Sequence, residues 1–156
     1  MKALLGFALL AATVLSFAQD IAPKAELKLD KTTAVAGSTV KGKIILTFAD
    51  GLHGYQNPPS DDYQIPTKIE AAKGTTLLKT IYPKGEPFLM SGEEKPAMVY
   101  QGRVEIPVEI KVPAKAGKQT IKLAVNYQQC NDNSCFPPGK IELSSKLTVT
   151  AAPKKK

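Results

Sequence analysis

The sequence contains few of the side chains from which metal centres are built. Its 156 residues include two cysteines and one histidine, and these cannot by themselves supply the four ligands of a structural zinc site. A blue-copper site needs a histidine and a methionine shortly after its cysteine, and neither follows Cys135. We therefore expect no metal ion and no cofactor. Copper bound by Met90, Met98 and His53 is the remaining metal alternative, and no close ligand spacing supports it.

Long apolar runs are missing after the first residues of the chain. Residues 1–18 carry Lys2 ahead of an apolar stretch and have small residues at Ser16 and Ala18, a pattern typical of a cleaved signal peptide. No later segment approaches the roughly 20 apolar residues that a membrane helix needs. No cysteine stands at the expected cleavage point before Gln19, so a lipid anchor is not indicated. We expect an exported, soluble protein in a compartment where disulfides form and persist.

The excess of basic residues does not form a nucleic-acid signature. The net charge is +7 at pH 7, but most lysines alternate with apolar residues, as they do on the solvent faces of strands. Residues 154–156, all lysine, are interpreted as a short basic tail. Aromatic and basic residues are not interleaved, so no nucleic-acid partner is expected. Residues 19–156 have the length of one domain with its own core.

Apolar residues recur at every second position, which is the period of a half-buried β-strand. The clearest runs are residues 40–48, 104–112 and 121–127. Shorter candidate strands are residues 26–29, 67–72, 76–82, 141–143 and 147–150. About eight such runs without a long amphipathic helix predict an all-β fold, an immunoglobulin-like antiparallel β-sandwich. An up-and-down barrel is the alternative.

Strand breakers mark three further places. Pro107 lies inside a strand pattern, which predicts an edge position or a bulge because proline has no N–H for the sheet ladder. Residues 56–66 and 83–96 hold several breakers, and loops of this length are often functional. The second loop contains an apolar triplet, Phe88, Leu89 and Met90, between charged residues. Two interpretations fit the triplet: a plug packed on the core, or a lid that covers a reactive site.

The two cysteines are close neighbours in sequence. A disulfide between Cys130 and Cys135 closes a loop of six residues, and such a loop stabilises a fold by only about 2 kcal/mol on the chain-entropy estimate. Two interpretations stay open at this point. The bond is either a small structural bridge in a secreted domain or a labile pair that is repeatedly made and broken.

The residues around the cysteines resemble those of a known family. The strings YQQC at residues 127–130 and CFPP at residues 135–138 are similar to the cysteine turn of the periplasmic N-terminal domain of the thiol:disulfide interchange protein DsbD. The string VYQG at residues 99–102 belongs to the same resemblance. Upstream, residues 50–55 (DGLHGY) and 65–67 (IPT) are similar to the strand and loop that lie near the cysteines in this family. The resemblance covers nearly all of the chain after the signal peptide.

The resemblance implies a function as well as an immunoglobulin-like sandwich. In the family, a membrane-embedded reductase of the DsbD or CcdA type reduces the cysteine pair, which then reduces periplasmic thioredoxin-like proteins. Those proteins correct wrong disulfides or serve cytochrome c maturation. Because the sequence ends after the sandwich, we expect electrons to come from a separate protein. The alternative is a non-catalytic exported binding or chaperone-like module with a structural disulfide.

The two cysteines are expected to have different roles. Cys135 precedes the rigid segment Phe136-Pro137-Pro138, which is suited to presenting its sulfur, so we predict that Cys135 forms the mixed disulfide and Cys130 resolves it. Neither cysteine has a cationic neighbour in sequence, and Asp132 disfavours a thiolate if it lies close. A reactive thiolate then depends on groups of the partner.

Five further residues are candidates for the site. Phe88 and Met90 are predicted to cap the cysteine turn, as the resemblance also suggests. Tyr55 and Tyr127 either shape the pocket around the sulfurs or are ordinary sandwich tyrosines. His53 is either a proton shuttle, because its unperturbed pKa lies near neutrality, or a surface histidine after a hairpin turn.

Overall fold

The computed structural model describes residues 22–153, and the regular structure in this range is entirely β-strand. Its strands are, in chain order, β1 (Lys24–Leu29), β2 (Thr33–Val35), β3 (Thr39–Thr47), β4 (His53–Tyr55), β5 (Lys68–Ala71), β6 (Thr76–Thr80), β7 (Glu86–Phe88), β8 (Ala97–Gln101), β9 (Arg103–Lys111), β10 (Gly117–Tyr127), β11 (Gln129–Cys130) and β12 (Gly139–Thr150). No helix in the described range is long and apolar enough to span a membrane. The predicted signal peptide, residues 1–18, and the basic tail, residues 154–156, lie outside the described residues.

The strands form three sheets of four strands each. The first sheet has the order β1-β3-β9-β6, the second β2-β12-β10-β5 and the third β11-β4-β8-β7. The pairs are antiparallel, with the exception of β2 and β12, which run parallel. The longest ladders join β10 to β12 and β3 to β9. These two ladders form the centres of the first two sheets.

The first two sheets enclose the main core. Ile44 and Ile106 from the first sheet and Ile121 and Leu123 from the second belong to one buried cluster. Burying a large aliphatic side chain contributes about 1.5–3 kcal/mol, so this cluster is the main source of the fold's stability. Two sheets packed face to face confirm the predicted immunoglobulin-like β-sandwich. The parallel pair β2–β12 is its departure from a purely antiparallel order.

The predicted edge position of Pro107 is wrong. Its strand β9 lies between β3 and β6, and it pairs regularly with β3. The Pro107 carbonyl accepts a hydrogen bond from the Ile81 backbone N at 2.9 Å. In a hydrogen-bonded pair of an antiparallel ladder, the two opposed residues exchange two such bonds. The second bond would need an N–H on Pro107, and proline has none. The ladder with β6 ends there, and the register shift lies in β6, between Leu77 and Lys79.

The period-two pattern also misjudges several strand boundaries. Residues 141–143 and 147–150, predicted as two strands, both belong to the continuous strand β12. Residues 83–96, predicted as a loop, contain β7, which forms a hairpin with β8. The pattern predicts none of the four strands of the third sheet.

The third sheet continues from one end of the sandwich. Strand β4 follows β3, β8 precedes β9, and β11 follows β10, so three of its four strands are neighbours of sandwich strands along the chain. The Phe48 backbone N donates to the Gly102 carbonyl at 2.8 Å, which holds two of these connections together. The only two cysteines of the chain lie in and beside this third sheet.

Candidate functional site

The cysteine turn is a tight hairpin closed by a disulfide. Cys130 and Cys135 are bonded to each other, and their Cα atoms are 3.9 Å apart. Between them, the Asn131 backbone N donates to the Ser134 carbonyl at 2.9 Å. The Asn131 side-chain oxygen in turn accepts hydrogen bonds from the backbone N atoms of Asn133 and Ser134, each at 2.9 Å. Asparagine stabilises turns in this way, and the turn brings the two sulfurs together.

The hairpin continues on the other side of the disulfide. The Phe136 backbone N donates to the Gln129 carbonyl at 2.8 Å, and the Gln128 side chain donates to the Phe136 carbonyl at 3.1 Å. Hydrogen-bonded pairs therefore flank the cysteines, which occupy the non-hydrogen-bonded position where opposed residues approach most closely. The two cysteines differ in burial: Cys130 is 0% exposed, whereas Cys135 is an exposed residue.

Strand register places four of the predicted site residues, which come from three strands, on one face of the third sheet. His53 in β4 lies directly opposite Cys130 in β11, and opposed residues project to the same face. Tyr55 shares that face because side chains alternate along a strand, and it lies opposite Val99 of β8. Phe88 of β7 lies opposite Ala97, two residues before Val99 in β8. The buried residues of this face, with Phe88 and Met90 packed against them, form a second apolar cluster, hereafter the small cluster: Tyr55, Ala97, Val99 and Cys130.

Phe88 and Met90, hereafter called the cap, pack against this face, and their function as a cover stays a prediction. The ring centroids of Phe88 and His53 are 4.3 Å apart. The Tyr55 hydroxyl lies 3.5 Å from the Met90 Sδ and 3.7 Å from the Cys135 Sγ. Leu89, between the two cap residues, points outward and is 58% exposed. The triplet therefore alternates as a strand does, with Leu89 in solvent and its two neighbours packed against the small cluster.

A backbone hydrogen bond ties the cap to the cysteine turn. The Ser91 backbone N donates to the Asp132 carbonyl at 3.0 Å. Phe88 and Met90, which precede Ser91, are only partly buried. The cap is thus held by one backbone hydrogen bond at this point and by partly exposed apolar contacts. Such a segment has a lower local stability than the strands of the sandwich.

His53 is buried, so the interpretation as a surface histidine is wrong. Its side chain is 1% exposed, because Phe88 covers it on one side and Cys130 is its partner in the ladder. Its Nε2 atom has no hydrogen-bond partner among the described residues. Burial lowers the pKa of His53 below its ordinary value of 6.5, and the nearby Asp132 carboxylate acts in the opposite direction more weakly. The imidazole is therefore neutral at pH 7.

Tyr55 carries its hydroxyl proton at neutral pH. Burial raises the pKa of Tyr55 above its ordinary value of 10.0, and the charges of Tyr63 and Glu93 raise it further. The protonated hydroxyl is able to donate to a sulfur acceptor. Its position between the Met90 Sδ and the Cys135 Sγ links the cap to the disulfide.

Tyr127 belongs to the second sheet, whereas Phe88 of the cap belongs to the third. It ends β10, is buried, and lies opposite Gly139 of β12. A Cβ at position 139 would approach the Tyr127 ring to 2.7 Å, so the ring occupies the space over the glycine. Tyr127 thereby fixes the end of the strand that leads into Cys130. Its predicted role as a pocket residue stays a prediction.

Gly54 is a structural residue of the site that sequence reasoning missed. A Cβ at this position would lie 2.7 Å from the Phe48 ring, so only glycine lets β4 pack against the main core. With Gly54 on that face and His53 and Tyr55 on the other, all three residues of β4 are buried. A glycine inside a strand is the available signal, because it often marks a close approach.

No group of three or more histidine, cysteine, aspartate or glutamate side chains in residues 22–153 is arranged to hold a metal ion. The polar groups around the disulfide include the Tyr55 hydroxyl, the His53 imidazole and the turn of Asn131. The chemistry that this site offers is therefore that of the two sulfurs and the groups that donate or accept protons beside them.

Comparisons with known proteins identify relatives of this arrangement. The family model described as thiol:disulfide interchange protein DsbD, N-terminal, matches residues 21–145. Among solved structures, the N-terminal periplasmic domain of ScsB from Proteus mirabilis is similar, with a TM-score of 0.54 and 16% identity over 77% of this chain and 43% of that chain. This likeness shows a shared fold, and the chain spans less than half of that relative. The comparison with curated proteins gives no match.

Two structures from Neisseria meningitidis are also similar. The DsbD N-terminal domain in its reduced form has a TM-score of 0.49 and 22% identity over 80% of this chain and 86% of that chain. A chain of the complex between the DsbD N-terminal and PilB N-terminal domains has a TM-score of 0.42 and 26% identity over 77% of this chain and 80% of that chain.

Proposed function

The chain belongs to the family of the N-terminal domain of the thiol:disulfide interchange protein DsbD, whose model matches residues 21–145, and we propose that it exchanges disulfides through Cys130 and Cys135. Electrons pass from a membrane-embedded reductase of the DsbD or CcdA type to this pair, and from the pair to periplasmic thioredoxin-like proteins. The domain acts in the periplasm as a thiol:disulfide oxidoreductase. It needs no cofactor, because the electrons travel on the two sulfurs.

The unequal burial of the two cysteines is the observation that carries this proposal. An exchange reaction needs one sulfur that a partner can reach and a second that resolves the mixed disulfide. Cys135 is exposed and Cys130 is completely buried, which supports these two roles. A purely structural disulfide does not need one buried and one exposed sulfur. As a structural bond this disulfide is also weak, because its six-residue loop contributes only about 2 kcal/mol.

The reaction balances when two electrons and two protons move together. A partner thiolate attacks the Cys135 Sγ, the bond to the Cys130 Sγ breaks, and Cys130 takes up a proton. A second partner thiol then attacks the mixed disulfide, which leaves the partner oxidised and both cysteines of this domain reduced. The reverse sequence on another partner reduces a thioredoxin-like protein.

The cap controls access in this proposal. Phe88 and Met90 lie over the small cluster that includes Cys130, and Tyr55 connects Met90 to the Cys135 sulfur. A partner that approaches Cys135 displaces these half-buried side chains and takes their place. Small thiols and oxidants lack the binding surface to do so, and the cap therefore protects the pair until a partner arrives.

Trapping experiments with two matched cysteine variants test the roles. The probe is a thioredoxin-like domain with its second cysteine replaced by serine and its first activated as a thionitrobenzoate disulfide. Reduced Cys130→Ser is expected to form a stable mixed disulfide through Cys135, because the resolving thiol is absent. Cys135→Ser is expected to trap poorly, because Cys130 is buried. Non-reducing electrophoresis and mass spectrometry measure both yields.

Wild-type protein provides the control for the function itself. It is expected to form the mixed disulfide only transiently and to release the probe as a free thiol while its own disulfide forms. Equal trapping by the two variants contradicts the assignment of roles. Failure of the reduced wild-type protein to react with the probe contradicts disulfide exchange and returns the bond to a structural role.

A further inference from the structure

The resolving step needs a base that the cysteines do not provide. Cys130 acts as a nucleophile only as a thiolate, yet it is 0% exposed. Burial in an apolar cluster disfavours a thiolate, and water does not reach the sulfur to remove its proton. Either the resolving step is slow, or a buried group accepts the proton.

His53 occupies the position that such a group requires. It lies directly opposite Cys130 in the antiparallel pair of β4 and β11, where opposed Cβ atoms are about 4.5–5.5 Å apart on the same face. Both residues lie beneath the cap: the Phe88 ring centroid is 4.3 Å from that of His53, and Phe88 packs against the small cluster that contains Cys130. The imidazole and the thiol therefore share one enclosed space.

The imidazole is also in the state that a proton acceptor needs. His53 is 1% exposed, and its Nε2 has no hydrogen-bond partner among the described residues. Buried polar atoms are normally paired, so an unpaired ring nitrogen needs an explanation. Burial keeps the pKa of His53 below 6.5, which leaves the ring neutral and able to take a proton at pH 7.

The other groups around His53 do not compete for this role. From the cysteine turn, the Asp132 carboxylate raises the pKa of His53 to a smaller extent than burial lowers it. On its own strand, Tyr55 lies with its ring centroid 6.5 Å away and keeps its proton at neutral pH. Its neighbour in β8 is Gln101, and the cap presents Phe88, and neither of these titrates.

We infer that His53 accepts the proton of the Cys130 thiol when Cys130 resolves a mixed disulfide at Cys135. This inference rests on the proposed function. The proton moves from the Cys130 sulfur to a ring nitrogen, and the thiolate electron pair forms the bond to the Cys135 Sγ. The bond between that sulfur and the partner breaks, and its electron pair leaves on the partner sulfur. The imidazolium then releases this proton to solvent. When a partner reduces the domain, the steps run in reverse: the imidazole takes a proton from solvent and passes it to the Cys130 sulfur as the bond to Cys135 breaks.

A two-phase reaction with dithiobis(nitrobenzoate) tests this role without a protein partner. Reduced Cys135 attacks the reagent and releases the first thionitrobenzoate, and Cys130 then displaces the second. Thionitrobenzoate leaves without needing a proton, so the second phase isolates the deprotonation of Cys130. In His53→Gln and His53→Phe we expect an unchanged first phase and a second phase slower by about 100-fold at pH 7, as typical of a lost general base.

The pH profile separates proton transfer from a structural role. In the wild type, the second phase should be nearly flat around neutrality and fall below the lowered pKa of His53. In the His53 variants it should rise about tenfold per pH unit through the same range, because hydroxide must generate the thiolate. Asp132→Asn, an exposed substitution that leaves the cluster intact, should shift the acid limb to lower pH because it removes a charge that raises the pKa of His53.

Each failure has a distinct signature. A first phase that is absent in the wild type and in Phe88→Ala alike contradicts the proposed function, since Cys135 then does not react even when the cap side chain is removed. Normal phases with an unchanged second phase and pH profile in the His53 variants contradict only the role of His53. If both phases are equally faster in those variants, the substitutions have opened the cap. His53 then acts by holding the cap in place, and the inference is overturned. Should both His53 variants fail to fold, an acid limb that does not move in Asp132→Asn overturns it as well.

Discussion

The main core and the small cluster are built from different side chains and are covered to different extents. The main core is largely aliphatic, drawn from two facing sheets, and its central residues such as Ile44 and Leu123 are 0% exposed. The small cluster contains a tyrosine, a cysteine and two small or medium aliphatic residues, and its covering side chains are only half-buried. The main core lies between two sheets. The small cluster has a sheet on one side only, and on its other side it is covered by the cap, which is carried by β7 and the residues after it.

The two clusters share one wall. In β4, Gly54 faces Phe48 of the main core while Tyr55 faces the small cluster. In β8, Tyr100 belongs to the main core and Val99 to the small cluster. The sandwich thus supports the cysteine site from behind, and in the proposed function the site opens on its other face without disturbing the sandwich. Precise support combined with a removable cover suits a sulfur pair that must be both protected and accessible.

The largest effect on stability is expected in the main core. Ile110 lies in the inner strand β9 and is 0% exposed. Ile110→Ala should lower the free energy of unfolding by about 2–5 kcal/mol, because a cavity remains. Urea unfolding measures the loss. The reactivity of the reduced cysteines under folding conditions should stay at the wild-type value, since Ile110 belongs to the main core and not to the small cluster. A parallel rise in reactivity would show that the two clusters do not act separately.

Reduction of the disulfide should have the next largest effect. The bond closes a six-residue loop, and its loss should destabilise the fold by about 2 kcal/mol. Thermal unfolding with and without dithiothreitol measures the difference, and Cys130→Ser/Cys135→Ser serves as the permanently reduced control. The protein should remain folded, because neither cysteine belongs to the main core. Global unfolding on reduction would identify the bond as a staple instead.

Removal of the cap side chain should change reactivity more than stability. Phe88→Ala should speed the reaction of Cys135 with a small thiol reagent several-fold. It should cost about 1 kcal/mol, because the ring is only half-buried. The matched control is Leu89→Ala, the outward-pointing neighbour in the same arm, which should change neither quantity. Equal reactivities in Phe88→Ala, Leu89→Ala and the wild type would assign the arm a purely structural role.

The smallest effect concerns the pH dependence of stability. His53 has a lower pKa in the folded protein than its ordinary value of 6.5, so below pH 6.5 the unfolded chain binds a proton that the folded protein does not. Stability is therefore lost as the pH falls from 6.5 towards the folded pKa, and is fully present above 6.5. In His53→Phe this loss should disappear, as measured by urea unfolding at pH 7 and at acid pH. An unchanged pH dependence in His53→Phe would show that a different titrating group causes the loss of stability at acid pH.

Local patterns predict the sandwich better than they predict the site. The three clearest period-two runs coincide closely with β3, β9 and β10, because each of these strands has one face in the core and one in water. Strand β4 has no such alternation, since it is buried on both faces. Strand β7 contains Pro87 and spans only three residues, so its sequence has the composition of a loop. Pairing with β8 makes it a strand.

The amino-acid sequence alone determined the all-β class, the turn between Cys130 and Cys135 and the apolar character of the triplet around Phe88, because all of these depend on residues close together in the chain. Tertiary structure decided that Cys130 is buried while Cys135 is exposed, and that His53 lies inside rather than on the surface. Both outcomes depend on side chains of β4, β7 and β11 that share one face of the third sheet. These strands come from distant parts of the chain. Burial is a property of such non-local contacts, and the pKa of His53 follows from burial rather than from its neighbours in sequence.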